Sequence, residues 1–258
     1  MNPPRPTNIK VIGIGPGGSD QVTHAAVAAL NEVDVFLVAD KGEKKSDLVT
    51  MRREICERWI DGDYRLVEVP DPERGPDAER NTTDYRTGVA DWHRARTDAY
   101  RAIIAADPGL TYGFLVWGDS AFYDSTLRIV DALSELMPIE SDVIPGISSL
   151  QLLAARHRVP LNRVGQPIHI TTGRRLVEDF RDDLGDVVVM LDGHLACREL
   201  VGRGLEIFWG AYLGDPREVL VRGPLDDVIA ELIDTRARLR DQHGWVMDTY
   251  LLRPLARS

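Results

Sequence analysis

The chain has 258 residues and a formal net charge of −10, and 43% of its residues are hydrophobic and 28% charged. This length can bury one or two hydrophobic cores, and the acidic balance argues against a nucleic-acid-binding protein that depends on phosphate contacts. No apolar run reaches the roughly 18–20 residues of a membrane span, and the N-terminus lacks the apolar region of a secretory signal. Cys56 and Cys197 form no C-x-x-C pair, so we expect neither a disulfide framework nor a structural zinc site. We expect a cytoplasmic location, where cysteines stay reduced.

Five strand-like segments alternate with helical patterns in the first part of the chain. The strand candidates are "NIKVIGIG", "DVFLVAD", "YRLVEVP", "TYGFLVWGD" and "IESDVIPG". The helical patterns cover residues 20–32, 47–59, 82–106, 124–136 and 147–157. Most of the strands are nearly continuous apolar runs, which is typical of strands covered on both faces. The sequence therefore predicts an α/β domain with a largely parallel sheet.

The segment "PLNRVGQ" at residues 160–166 is interpreted as a linker that divides the chain into domains 1–160 and 161–258. Five more strand candidates follow it, at 167–173, 186–193, 205–214, 218–225 and 245–254, with helices over 174–184, 194–201 and 225–242. Short helices and Gly-rich turns favour more antiparallel pairing here. The predicted fold class is α/β, with two α/β domains and a ligand cleft between them. The polar segment 71–84 is either a surface loop or a lid.

The first strand runs into "IGIGPGGSD", in which Gly13, Gly15 and Gly18 spell G-x-G-x-x-G. With Asp40 at the end of the second strand, one interpretation is an NAD-dependent oxidoreductase with a Rossmann dinucleotide site. Pro16 weakens that interpretation, because it removes a backbone N–H group that would bind a pyrophosphate.

Three further loops close predicted strands in the same way: "WGDSAFY", "PGISS" and "TTGRR". Carboxyl ends of strands in an open α/β sheet share one edge, where ligands bind. We therefore expect the loop glycines to line one cleft: Gly15, Gly118, Gly146 and Gly173. In their order and spacing these loops resemble the tetrapyrrole methylases, whose pattern is G-x-G-P-G-D, G-D-P-x-x-Y/F, P-G-x-S-S and T-G-x. Gly18 and Ser120 depart from it, where the family has Asp and Pro.

The resemblance implies a class III methyltransferase that uses S-adenosyl-L-methionine and leaves S-adenosyl-L-homocysteine. Segments 83–96, 187–193, 209–220 and 243–254 are similar to a branch that methylates C-1 of precorrin-5 and releases acetate, giving precorrin-6A. The implied substrate is an anionic precorrin, and the implied assembly is a homodimer. The resemblance assigns cofactor contacts to these residues: Gly15, Pro16, Gly17, Trp117, Gly118, Asp119, Phe122, Ser148, Ser149, Asp192, Ala211 and Tyr212.

The two chemical steps make different demands on the protein. Methyl transfer to a ring carbon depends chiefly on positioning and exclusion of water. Release of acetate needs a base and donors for an oxyanion, and the candidates are His93, Asp119 and Asp192. Each also has a structural interpretation: a packed histidine, a loop-fixing acid and a turn-capping acid. Asp192 and His194 alone are a poor ligand set, so no metal is expected.

The substrate carboxylates require local cations in an acidic protein. Arg86 in the helix 82–106 and Arg174 at the start of the helix after "TTG" are the candidates, the latter because a helix N-terminus also favours an anion. The preference for arginine over lysine has a second explanation in genome base composition. Another precorrin C-methyltransferase and a non-catalytic tetrapyrrole-binding protein remain alternative functions.

Overall fold

The computed structural model describes residues 6–40, 46–72 and 82–255, of which 46–47 and 82–90 are described by their backbone alone. Contacts divide the chain into two compact units, the first formed by Met1–Gly15 with Ser19–Ile147 and the second by Pro16–Gly18 with Ser148–Ser258. Residues 148–160 thus belong with the second unit by their contacts, and a division after residue 160 stays a prediction. Among the described residues, no helix has the length and apolarity that a membrane span requires.

The first unit contains a five-stranded sheet in which all described pairs are parallel. Its strands are β1 (Thr7–Gly13), β2 (Val35–Asp40), β3 (Arg65–Pro70), β4 (Thr111–Val116) and β5 (Ile139–Ile144). Their order is β3-β2-β4-β1-β5, so β1 lies between β4 and β5. The predicted parallel sheet is confirmed.

Helices cover both faces of this sheet, as its apolar strands require. They are α1 (His24–Leu30), α2 (Ser46–Trp59), α3 (Thr82–Ala106) and α4 (Thr126–Ser134). One core cluster includes Ile104 of α3 and Leu133 of α4, and the other includes Leu30 of α1 and Ile55 of α2. The predicted helix 20–32 is shorter, because the Thr23 side chain caps α1 by accepting a hydrogen bond from the Ala26 N–H at 3.1 Å.

The second unit contains a mixed five-stranded sheet in the order β6-β7-β10-β8-β9. Its strands are β6 (Ile168–Thr172), β7 (Asp186–Met190), β8 (Leu205–Ala211), β9 (Val219–Pro224) and β10 (Asp248–Pro254). β6 and β7 are parallel and the other pairs antiparallel, which confirms the expected mixture. The helices are α5 (Ser149–His157), α6 (Gly173–Asp179) and α7 (Leu225–His243), with a 3-10 turn at Ala196–Leu200.

A buried ion pair lies in the core of the second unit. Asp248 Oδ2 accepts hydrogen bonds from Trp209 Nε1 at 3.0 Å and from Arg236 Nε at 2.9 Å. Burial raises the pKa of the Asp248 carboxyl, and the Arg236 guanidinium opposes that shift. Arg236 Nη2 also donates to the carbonyl oxygen of Asp192 at 2.6 Å. This network therefore fixes the backbone at the carboxyl end of β7, where Asp192 lies.

Candidate functional site

The loops after β1, β4 and β5 meet at the carboxyl edge of the first sheet. Gly15 and Gly118 exchange backbone hydrogen bonds of 3.3 and 2.8 Å, with φ angles of +81° and +67° that favour glycine. Gly146 packs so closely that a Cβ there would lie 2.2 Å from the Gly118 carbonyl oxygen. The structure thus brings together three of the four glycines expected at one edge, and the fourth, Gly173, belongs to the second unit.

Asp119 links two of these loops through its carboxylate. Its Oδ2 accepts a hydrogen bond from the Gly146 N–H at 2.7 Å, and its Oδ1 accepts one from the Ala121 N–H at 2.8 Å. The backbone N–H of Phe122, whose side chain is half-buried, approaches the Asp119 carbonyl at 3.4 Å. Because both carboxylate oxygens accept backbone donors, the geometry favours the loop-fixing role of Asp119, and a role as base stays a prediction.

Trp117, directly before Gly118, is partly buried against the core that α1 and α2 cover. The Arg52 guanidinium of α2 lies 5.8 Å from the centroid of its ring, a distance at which a cation is attracted to an aromatic face. Sequence reasoning assigned Arg52 no role, because it is one of two adjacent arginines in a helical pattern. Only the packing of α2 on β4 reveals it.

Gly17, in the glycine loop, is placed with the second unit, where a Cβ would lie 2.3 Å from the Leu213 carbonyl oxygen. The neighbouring Ala211 and Tyr212 are buried. Tyr212 has a φ of +49°, its N–H donates to the Met247 carbonyl at 2.8 Å, and its hydroxyl donates to the Trp245 carbonyl. With this side chain committed to packing, a cofactor contact at Tyr212 would come from its backbone.

Ser148 caps α5 in the second unit. Its hydroxyl accepts a hydrogen bond from the Gln151 N–H at 3.4 Å, and the Gln151 side chain accepts one from the Ser148 N–H at 2.8 Å. This is a capping box, which satisfies donors at the start of a helix. Ser148 is buried, whereas the next residue, Ser149, is only partly buried. The predicted cofactor contacts of both residues stay predictions.

Asp192 follows β7 and is only 5% exposed. Its Oδ1 accepts a hydrogen bond from the His194 N–H at 3.0 Å, and its Oδ2 accepts from the Ala196 N–H and the Tyr250 hydroxyl, each at 2.6 Å. The side chain also packs on Gly173, where a Cβ would lie 2.3 Å from Asp192 Cγ. These contacts match the turn-capping interpretation. They engage both oxygens that a general base would use.

The remaining predicted residues lie in separate places. His93 is partly buried on α3, with its ring 5.2 Å from that of Trp92. Arg174 is exposed in the first turn of α6, beside Arg175, which pairs with acidic residues of its own helix. The Arg86 side chain lies outside the described residues, as do residues 73–81 of the segment predicted to be either a surface loop or a lid. Within the described ranges, no group of three His, Cys, Asp or Glu side chains could hold a metal ion.

Three features together are those of a methylase of large tetrapyrroles: the glycine loop after β1, the loop after β4 that contains Gly118 and Asp119, and the mixed second sheet. The family model of the tetrapyrrole (corrin/porphyrin) methylases matches residues 8–229, and the chain belongs to this family. It is 44% identical over 250 residues to a deacetylating precorrin-6A synthase of a Sinorhizobium species, covering 95% of this chain and 94% of that protein.

Two solved structures have a similar fold. A cobalamin synthesis-related protein (CobF) of Corynebacterium diphtheriae matches with a TM-score of 0.83 at 36% identity, covering 97% of this chain and all of that one. A Thermus thermophilus uroporphyrin-III C-methyltransferase, solved with S-adenosylhomocysteine, matches with a TM-score of 0.58 at 18% identity, covering 95% and 92%, and so shares the fold. The family explains "IGIGPGG" as a methylase loop, which removes the support for a dinucleotide site.

Proposed function

We propose that this protein is an S-adenosylmethionine-dependent C-methyltransferase of corrin biosynthesis that methylates C-1 of precorrin-5 and releases acetate, giving precorrin-6A. The observation that carries the proposal is the 44% identity to a deacetylating precorrin-6A synthase over nearly the whole length of both proteins. A homodimer in the cytoplasm is part of the proposal. The free, buried Cys56 and Cys197 are consistent with a reducing compartment.

The backbone of the first unit suits a large cofactor. At the strand ends the backbones of three glycines pack closely against one another. Backbone groups rather than side chains therefore form that edge. The proposed contacts in the first unit are Gly15, Trp117, Gly118, Asp119 and Phe122, and those in the second are Pro16, Gly17, Ser148, Ser149, Asp192, Ala211 and Tyr212. S-adenosylmethionine supplies an electrophilic methyl group when bound. The protein's contribution to transfer is to align the reacting atoms and exclude water.

Release of acetate places a further demand on the chain, because water must attack a carbonyl group and a proton must be accepted. Asp119 and Asp192 already accept hydrogen bonds on both carboxylate oxygens. This favours His93 as the proton acceptor. It lies three residues before Arg96, on the same side of α3. Arg86 and Arg174 are the proposed contacts to substrate carboxylates.

The test is a reaction of the purified protein with precorrin-5 and methyl-labelled S-adenosylmethionine, in which labelled corrin and free acetate are both measured. We expect equal amounts of the two products. Methylation without acetate would indicate another precorrin C-methyltransferase. Tight precorrin binding without methylation, and without calorimetric heat from S-adenosylhomocysteine, would indicate a binding protein. NAD and NADP serve as negative ligands in the same titration.

A further inference from the structure

A pocket of about 90 Å³ lies in the first unit, beside the carboxyl ends of β2 and β4. Elements α2, α3 and the start of α4 complete its walls. Apolar residues such as Leu37 and Phe114 form part of the wall, but most of the surface exposed in the pocket is polar, and Arg52 and Arg96 are among the residues that line it. An anion bound there could accept charge-assisted hydrogen bonds from a guanidinium group, which are stronger than those between neutral groups.

Arg52 brings to this pocket a positive charge that has no direct ion-pair partner among the described residues. Its Nε donates to the Leu115 carbonyl at 3.2 Å and its Nη1 to the Leu48 carbonyl at 3.1 Å. A guanidinium has five N–H donors, and in the described part of the chain no carboxylate lies within ion-pair distance of this one. Burial lowers the pKa of the Arg52 guanidinium, a shift that Asp124 opposes and Arg96 reinforces. An anion in the pocket would offset the cost of burying this charge.

Arg96 is held in a fixed orientation opposite Arg52. Its Nε lies 3.2 Å from Asp71 Oδ1, and its Nη2 donates to the Tyr100 hydroxyl at 3.1 Å. The guanidinium also stacks 4.5 Å from the centroid of the Trp92 ring. With its side chain 13% exposed and paired with Asp71, Arg96 is a cation held in place beside the pocket rather than a mobile surface side chain.

Asp124 is the acidic group that lines the same pocket. Its Oδ1 accepts a hydrogen bond from the Thr126 N–H at 2.6 Å. That bond anchors the carboxylate to the first turn of α4, out of ion-pair contact with Arg52. Asp71 is likewise committed to Arg96. The Arg52 guanidinium is therefore the cationic group lining this pocket that has no ion-pair partner among the described residues.

We propose that this pocket binds a carboxylate group. The Arg52 guanidinium contacts the carboxylate directly, and Arg96 is a second cationic side chain in the pocket wall. A water needs about 10–15 Å³ of cavity volume, so the pocket holds several non-hydrogen atoms, enough for acetate or a carboxymethyl group and too few for a macrocycle. The carboxylate has two possible sources, a peripheral side chain of the precorrin substrate or the acetate released from it. This choice of sources rests on the proposed function, whereas carboxylate binding itself does not.

The first experiment measures carboxylate binding without any turnover. Thermal unfolding is followed in sodium acetate and in sodium chloride of equal ionic strength, for the wild type, Arg52→Met and Arg52→Lys. Arg53→Met is the matched control, because Arg53 is the next residue of α2, exposed and paired with Glu68 at 3.2 Å. A ligand that binds only the folded state raises Tm. We expect acetate to raise the Tm of the wild type and Arg53→Met, to raise it less in Arg52→Lys, which loses the planar fork, and to leave Arg52→Met unchanged. Equal shifts in all four proteins, or no shift in any, overturn the proposal.

The second experiment distinguishes the two sources in the acetate-release assay. If a substrate side chain fills the pocket, added acetate competes with precorrin-5, and Arg52→Met raises KM at least tenfold with a smaller change in kcat. If the product fills it, acetate inhibition is not competitive with precorrin-5, and Arg52→Met relieves it at an unchanged KM. Wild-type KM and inhibition in Arg52→Met would overturn the proposal while the proposed function stands. A wild type that transfers no methyl group would refute the function, and the unfolding experiment would still decide the pocket.

Discussion

Asp119 and Gly146 are joined by a hydrogen bond of 2.7 Å between the carboxylate Oδ2 and the backbone N–H, across 27 residues of sequence. The bond holds the loop after β4 against the loop after β5, beside the Gly15–Gly118 bridge. A charged acceptor makes such a bond stronger than one between neutral groups. At this edge, whose backbone the glycines pack together, Asp119 therefore supplies a side-chain link between the two loops.

Asp119→Asn is expected to lower the free energy of unfolding by about 1–3 kcal/mol, because the amide nitrogen would face a backbone N–H in place of an acceptor. The same change is expected to weaken S-adenosylhomocysteine binding at least tenfold by calorimetry, since the loops that it joins carry the proposed contacts. Asp131→Asn, on the exposed face of α4, is the control. Wild-type affinity and stability in Asp119→Asn would show that the loops hold their shape without it.

Gly146→Ala tests the close approach of the loops directly. A Cβ there would lie 2.2 Å from one backbone oxygen and 2.7 Å from the Gly13 carbonyl carbon, so the backbone must shift, at a cost of about 1–3 kcal/mol. We expect a lower Tm and reduced S-adenosylhomocysteine binding. Gly62→Ala, where a Cβ would meet nothing within 4 Å, should leave both unchanged. Equal behaviour of the two variants would contradict the close packing.

Much of the fold could be predicted from the sequence, for reasons visible in particular elements. β2 and β4 are nearly continuous apolar runs, and α3 has the predicted bounds, residues 82–106. The end of α6 was predicted less well: the pattern favoured residue 184, but the helix ends at Asp179 and Phe180 is extended. The hydrophobic periodicity of the sequence does not indicate that the backbone becomes extended at Phe180.

The site was harder to predict than the fold. Arg52 and Arg53 are adjacent in the same helical pattern, and only the packing of α2 on β4 separates the pocket-lining residue from the exposed one. For Asp119 and Asp192 the sequence predicted an acid at a strand end but left its role open. The donors to their carboxylate oxygens, backbone N–H groups and the Tyr250 hydroxyl, belong to residues brought close by the turn itself or by segments distant in sequence.

Asp192→Asn distinguishes a structural acid from a base. The carboxylate accepts three hydrogen bonds in a buried place, so the amide would lose at least one acceptor, and we expect a loss of about 2–3 kcal/mol of stability. Tyr250→Phe, which removes one of the donors, should show a smaller loss in the same direction. If Asp192 were instead the base, Asp192→Asn would abolish acetate release with an unchanged unfolding midpoint.

His157 is expected to make the protein less stable in mild acid. Burial lowers the pKa of its imidazole below 6.5, and this effect outweighs the opposing hydrogen bond from Nε2 to the Trp209 carbonyl at 3.0 Å. The folded state thus keeps a neutral ring, while the unfolded chain takes up a proton below about pH 6.5. The stability from this group is present above pH 6.5 and is lost as the pH falls below it.

Thermal unfolding of His157→Gln between pH 7.5 and 5 measures this contribution. We expect a flatter loss of Tm below pH 6.5 than in the wild type. His24→Gln, at an exposed position, should keep the wild-type slope. Parallel curves for all three proteins would assign the acid sensitivity to other groups.

The interior position of β1, between β4 and β5, has a consequence for synthesis on the ribosome. β1 is the first strand to be made, yet Asn8 pairs opposite Thr111 and Thr7 opposite Ile139. Contacts between residues so distant in sequence form slowly, because large loops must close first. Until residue 144 has been translated, the nascent chain carries an apolar strand with at least one unpaired edge, a template for association with other chains. We expect fragments that end before β5 to aggregate, and the growing polypeptide to need protection by a chaperone until that strand arrives.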